Sequence, residues 1–142
     1  MIKGLLGDVH FIVSSRKILT PNNVSRTRNA RIAKHDILGR KPKLEFQGID
    51  LAEVSFDIRF DESLGVNIER ELKKLENIFV NGLVADFALG TKYYGEFLIS
   101  SMSENVKRSY SNGNRLVLET SITLQEYADG SFTKPNLFSQ LI

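Results

Sequence analysis

Between positions 53 and 60 apolar and polar residues alternate without exception. Val54, Phe56, Ile58 and Phe60 fall on one side, and Glu53, Ser55, Asp57 and Arg59 on the other. Successive side chains of a strand point to opposite faces, so this segment reads as a strand with one dry and one wet face. Residues 43–47 form a short strand before it. Gly48-Ile49-Asp50 is then the turn of a hairpin, with 52–60 as its return strand. Val9, Phe11 and Val13 repeat the alternation over 8–15. Residues 83–89 and 93–103 are further strands, the second with apolar groups on both sides, as a central strand has. Residues 105–110 and 115–127 flank Ser111-Asn112-Gly113-Asn114, where Asn-Gly suits the positive φ angles of a type I′ hairpin.

One segment has a different period. Ile68, Leu72, Leu75, Ile78 and Phe79 are spaced as one stripe of an α-helix, with Arg70, Lys73, Lys74 and Glu76 opposite. Asn67 is the N-cap, Glu69 and Glu71 suit the positive end of the helix dipole, and Asn81-Gly82 ends it. Residues 24–38 show neither period strongly; they read as one long exposed strand or a loop, and a strand with no dry face needs another surface to lie on.

These elements exclude a doubly wound βαβ fold, because strands dominate and the connections are short. The expected class is α+β, mainly β: an antiparallel sandwich or barrel of about seven or eight strands, with one helix packed on it over about 67–80. Residues 1–127 form the single domain. Residues 128–142 are a tail carrying Phe132, Leu137, Phe138, Leu141 and Ile142, too apolar to hang free, and expected to dock on its own or a neighbouring subunit.

Composition changes this picture little; charge placement changes it more. The 142 residues include no cysteine, which removes disulfides and thiolate metal sites. No apolar run approaches the roughly 18 residues of a membrane helix, and no membrane insertion is expected. Net charge is only +2, yet 16–43 holds nine basic residues against Asp36 alone, a local +8 balanced by −6 elsewhere. Such a dipole suits nucleic acid, or copies of one chain meeting positive on negative.

Catalytic patterns are missing. His10 and His35 are the only histidines, and both read as structural or solvated. There is no Gly-x-Ser-x-Gly elbow, phosphate loop or dinucleotide fingerprint. Asp57, Asp61 and Glu62 cluster at a strand end and read as solvated. No enzyme activity and no cofactor are expected. Arg26, Arg28 and Arg31 could meet phosphates, but the basic segment has no aromatic residue among its charges, as single-strand binding usually requires. A small non-specific nucleic-acid-binding barrel is therefore the alternative from another class. The candidate contact residues between copies are Arg26, Arg28, Arg31, Lys34, Arg40, Phe132, Leu137 and Phe138.

Several strings together carry a resemblance. They are Leu5-Leu6-Gly7-Asp8-Val9, Gly39-Arg40-Lys41-Pro42-Lys43-Leu44-Glu45-Phe46-Gln47-Gly48, Tyr94-Gly95-Glu96-Phe97-Leu98-Ile99, and the closing run from Leu118 to Tyr127. The chain resembles the phage tail protein U family of contractile-tailed phages and related bacteriocins, over about 5–127. The resemblance implies a tail-tube-like subunit that assembles with itself into a ring, a hexamer in the family. That ring would join the tail tube to the baseplate hub and start tube assembly, or terminate the tube at its head-proximal end. Implied partners are the tube protein, hub or spike proteins and the tape-measure protein, with DNA at most passing through the lumen. Assembly in the host bacterial cytoplasm, then residence in the particle, is implied as well.

Overall fold

The dry face of 54–60 lies at the centre of the core: Val54, Ile58 and Phe60 are fully buried and Phe56 is 2% exposed. The computed structural model describes residues 2–13 and 18–128. Among these, the strands are β1 (Ile2–Leu6), β2 (Val9–Val13), β3 (Ile18–Leu19), β4 (Pro21–Thr27), β5 (Ala30–His35), β6 (Lys43–Ile49), β7 (Glu53–Asp61), β8 (Ala85–Leu89), β9 (Lys92–Ser109) and β10 (Arg115–Glu126). One helix, α1 (Ile68–Val80), follows a 3-10 turn at Glu62–Leu64.

Eight strands form one antiparallel sheet in the order β3-β2-β1-β8-β9-β10-β7-β4. Its two end strands are consecutive in the chain, separated only by Thr20. The sheet must therefore curl until its ends meet, and β3 does touch β7. This is the expected mainly antiparallel β fold with one helix. Inside it, Phe56 stacks on Phe87 with ring centroids 5.2 Å apart and planes within 3°. Phe11 meets Phe56, and Phe97 meets Phe87, edge-on. Ile122 and Leu124 of β10 stand opposite Phe56 and Val54 in register and close the same core.

The helix forms as its spacing predicts. Asn67 Oδ1 accepts from the Arg70 amide at 3.1 Å, and Ile68, Leu72, Leu75 and Ile78 are buried. Phe79, expected in that stripe, is 37% exposed; by angle it stands only about 20° from Ile68, but it lies in the last turn of the helix.

Three expectations are corrected. The first concerns β6 and β7, which are not the two arms of a hairpin. β6 pairs with β5, while β7 pairs with β4 and β10. Gly48 has φ 112° and sits where the β5–β6 register shifts; its freedom serves a bulge, not a reversal. Second, the turn signals at 20–23 likewise mark a bulge inside β4, where Asn23 takes φ 56° and the register with β7 slips. Third, 93–103 and 105–110 are one continuous strand of 18 residues.

Candidate assembly interface

β4 and β7 are paired from Pro21↔Ile58 to Thr27↔Glu53. Beyond that point the chain continues on both sides, β4 into β5 and β7 back into β6. The Asp50 amide donates to the Asn29 carbonyl at 2.8 Å and bridges the two paired regions. The result is one long ribbon. Its root lies in the main sheet and its outer part, β5–β6, is a separate two-stranded sheet, here called the arm.

The arm is amphipathic. Ile32 pairs with Phe46, Lys34 with Leu44 and Ala30 with Ile49, so these six residues share one face. The bulge at Gly48 keeps Ile49 on that face, although it lies three residues from Phe46. Ile32, Leu44, Phe46 and Ile49 are each between 55% and 65% exposed. The other face is polar: His35 Nε2 and Glu45 Oε1 are hydrogen-bonded at 2.9 Å, and the Arg31 guanidinium lies beside Gly48. At the tip, Leu38 is fully exposed and the Arg40 amide closes a turn onto the Ile37 carbonyl. A two-stranded ribbon with a bare apolar face is marginal in water on its own; it is the form of a surface awaiting a cover.

The sequence-predicted contact residues separate accordingly. Arg28, Arg31, Lys34 and Arg40 are all exposed on the arm or at its base. Arg26 is not with them. It is half-buried, with its guanidinium carbon 5.2 Å from the centre of the Tyr94 ring, which Lys92 approaches at 5.0 Å. That cation–π contact ties β4 to β9 within the subunit. Phe132, Leu137 and Phe138 lie outside the described residues. The apolar face of the arm was missed from sequence, because 24–38 had no visible partner until β6 was placed beside it.

A second feature lies at the end of the sheet from which the arm leaves. Asp86 of β8 stands directly opposite Glu96 of β9. Both carboxylates are exposed, and like charges in such a pair repel. Tyr93, 60% exposed, donates its hydroxyl to Asp86 Oδ1 at 2.7 Å. That bond, helped by slight desolvation and by the charges of Asp86 and Glu96, pushes the phenol pKa up to about 12. Val84, two residues before Asp86, is 40% exposed, and Leu83 and Val80 beside it are also exposed.

The candidate acidic cluster does not converge. Asp57 accepts from Asn23 at 3.0 Å and from Ser121 at 2.7 Å, bonds that hold its carboxyl below the usual carboxylate range. Asp61 instead caps the 3-10 turn through the Ser63 amide and hydroxyl. Among the described residues no group of three or more His, Asp or Glu is placed to hold a metal ion. No helix there is long and apolar enough to cross a membrane.

The described residues thus form a closed antiparallel body with a projecting ribbon, apolar and uncovered on one face and basic around it. Residues 7–129 match the family model described as Phage P2 GpU, and the chain belongs to that family of phage tail structural proteins, which are not enzymes. No curated protein matches. Among solved structures, a chain from the "Tail of empty GTA particle computed with helical refinement, C6 symmetry" is similar at 15% identity and a TM-score of 0.49, over 94% of this chain and 95% of that one.

Proposed function

We propose that this tail component is the subunit of a hexameric ring that joins the tail tube to the baseplate hub and on which tube growth starts. One observation carries the self-assembly: the bare face of β5–β6, where Ile32, Leu44, Phe46 and Ile49 stand paired across two strands yet exposed. Covering a residue of this size stabilises an interface by about 1–2 kcal/mol. Four of them per contact contribute about 4–8 kcal/mol by that measure, set against an association cost of roughly 4–15 kcal/mol, and the contact repeats round the circle. In a cyclic ring each copy must carry both halves of the contact, and an uneven charge distribution, +8 against −6, supplies unlike halves.

The joining role is supported by the two ends of the body, which differ in chemistry, as a connector between two different proteins requires. One end carries the arm and the Asp86–Glu96 pair. The other carries the β9–β10 turn, where Arg115 is held between Glu69 and Glu104 and the Tyr110 hydroxyl donates to Glu62. The test is electron microscopy of tails from cells making Phe46→Asp with Ile32→Asp. Tails that lack this protein, or tubes that fail to start, are expected. Label on the wild-type chain is expected at the baseplate end; label at the head-proximal end would replace the hub reading by a terminating ring. Normal tails with the double variant incorporated would end the ring proposal.

A further inference from the structure

The uncovered arm has a complement on the same chain. We infer that its apolar face docks on the outer face of β8 and β9 of a neighbouring copy, with Lys34 seated against the Asp86–Glu96 pair. This rests on the ring reading and adds the partner surface to it.

Three observations lead there. Lys34 shares the arm's apolar face, directly opposite Leu44, and among the described residues no carboxylate lies within ion-pair distance of it. Asp86 and Glu96 are paired like charges that no basic side chain among the described residues relieves. A chain holding two carboxylates face to face at the surface loses stability as a monomer and regains it when a cation arrives. Around that pair, Val84 and the Tyr93 ring provide exposed apolar area to cover Ile32 and Phe46. Both halves are thus mixed: apolar with one cation on the arm, apolar with two anions on the body.

Placement favours a neighbour in the same ring. Following the ladders, Thr27 pairs with Glu53, Glu53 with Gln125, Glu126 with Phe97, and Phe97 with Ala85. The arm's root and the Asp86–Glu96 pair therefore lie at one end of the body. A rotation about an axis along the strands, without axial rise, can bring one copy's arm to the next copy's pair. Patches at opposite ends would stack rings instead.

The experiment uses charge reversal and cross-linking in assembled tails. Glu96→Lys places a cation opposite Asp86, so the isolated subunit should melt no lower than wild type. It should nevertheless lower incorporation into tails by about tenfold or more, since Lys34 then meets a like charge. Lys34→Glu should do the same, and the two together should recover most of the loss. The absence of native cysteine allows a second readout. Lys34→Cys with Glu96→Cys, treated with a short bis-maleimide in tails, should give a ladder of covalent multimers of this chain; neither single variant should exceed a dimer. Wild-type incorporation with Glu96→Lys, failure of the double reversal to recover, or Lys34→Cys linking only to another tail protein would each overturn the docking while leaving the chain a tail component. Absence of this chain from wild-type tails would instead overturn the ring reading.

Discussion

β7 and β6 adjoin each other in the chain, and both place apolar residues at every second position. In β7 those residues, Val54 to Phe60, are at most 2% exposed; in β6, Leu44 and Phe46 are 64% and 65% exposed. The two strands belong to the same ribbon and differ only in what lies across from their dry faces. β7 faces the aromatic cluster of its own subunit, with Phe56 against Phe11 and Phe87. β6 faces nothing described in this chain. Alternation therefore reports that a strand is amphipathic, and leaves open whether the cover comes from the same molecule or from a copy of it.

The largest effect should separate the two strands cleanly. Phe56→Ala removes a ring stacked on Phe87 and edge-packed by Phe11. It should cost about 3–5 kcal/mol in urea unfolding of the isolated subunit. Phe46→Ala, in the same assay, should change stability by no more than about 0.5 kcal/mol, while reducing incorporation into tails. If Phe46→Ala destabilises the isolated subunit as Phe56→Ala does, the arm is part of the core and the comparison fails.

Next in size is Gly48→Ala. Among the described residues a Cβ there meets only the Arg31 guanidinium, at 3.8 Å, so the cost is not steric. It comes from φ 112°, a backbone conformation that L side chains rarely adopt, and should be about 1–3 kcal/mol. Amide hydrogen exchange should report it: faster exchange across β5–β6, with β7 and β10 unchanged. Uniform acceleration across the body would mean that arm and body unfold as one unit.

Much of the body was legible in the sequence, for a physical reason. β7, β10 and α1 bury one face in their own core, so burial imposes a period on their residues, and the caps at Asn67 and Asn81 mark the helix ends. The arm was half legible. Arg28, Arg31, Lys34 and Arg40 stood out by charge and all fall on the arm or at its base, though on different faces of it, while Arg26 contacts Tyr94. The apolar face stayed hidden because it is built from pairs such as Ile32–Phe46, and register between strands is a non-local property that neither strand encodes alone. Gly48 and Asn23 misled in the same way: a positive φ signals a reversal or a bulge equally well, and only the partner strand decides which. β1 was missed because its sequence, Ile-Lys-Gly-Leu-Leu, does not alternate and its pairing with β2 slips between Ile2 and Gly4; β3 was missed because two residues are too few for a period to show.

A smaller effect, of opposite sign, is expected inside the body. Thr120 is fully buried on the inner side of β10, opposite Ile58, and among the described residues its hydroxyl has no hydrogen-bond partner. Thr120→Val keeps the shape and removes the stranded group, so it should stabilise the subunit by about 1 kcal/mol, read as a higher urea midpoint. A lower midpoint would show that the hydroxyl is satisfied after all. The arm offers no equivalent gain, since its polar groups face water.

The smallest effect tests the contact surface without unfolding anything. Tyr93 carries a phenol pKa raised from 10.0 to about 12, chiefly by its hydrogen bond to Asp86. A raised folded-state pKa means that the bond's contribution is fully present below the unfolded value and is lost as pH rises from about 10 through about 12. Tyr110 is raised as well, by its hydrogen bond to Glu62, so near-UV absorbance of the isolated subunit should show late phenol titration from these two residues, and Tyr93→Phe should remove the Tyr93 share of it. Asp86→Asn takes away the acceptor's charge and should bring the midpoint down toward the ordinary tyrosine range. Phe46→Ala should leave it unmoved in the monomer, because the arm covers this surface only in a neighbour. A Phe46→Ala shift in the monomer would mean that the arm already lies across β8 and β9 of its own chain, and the division between a self-sufficient body and a waiting arm would have to be withdrawn.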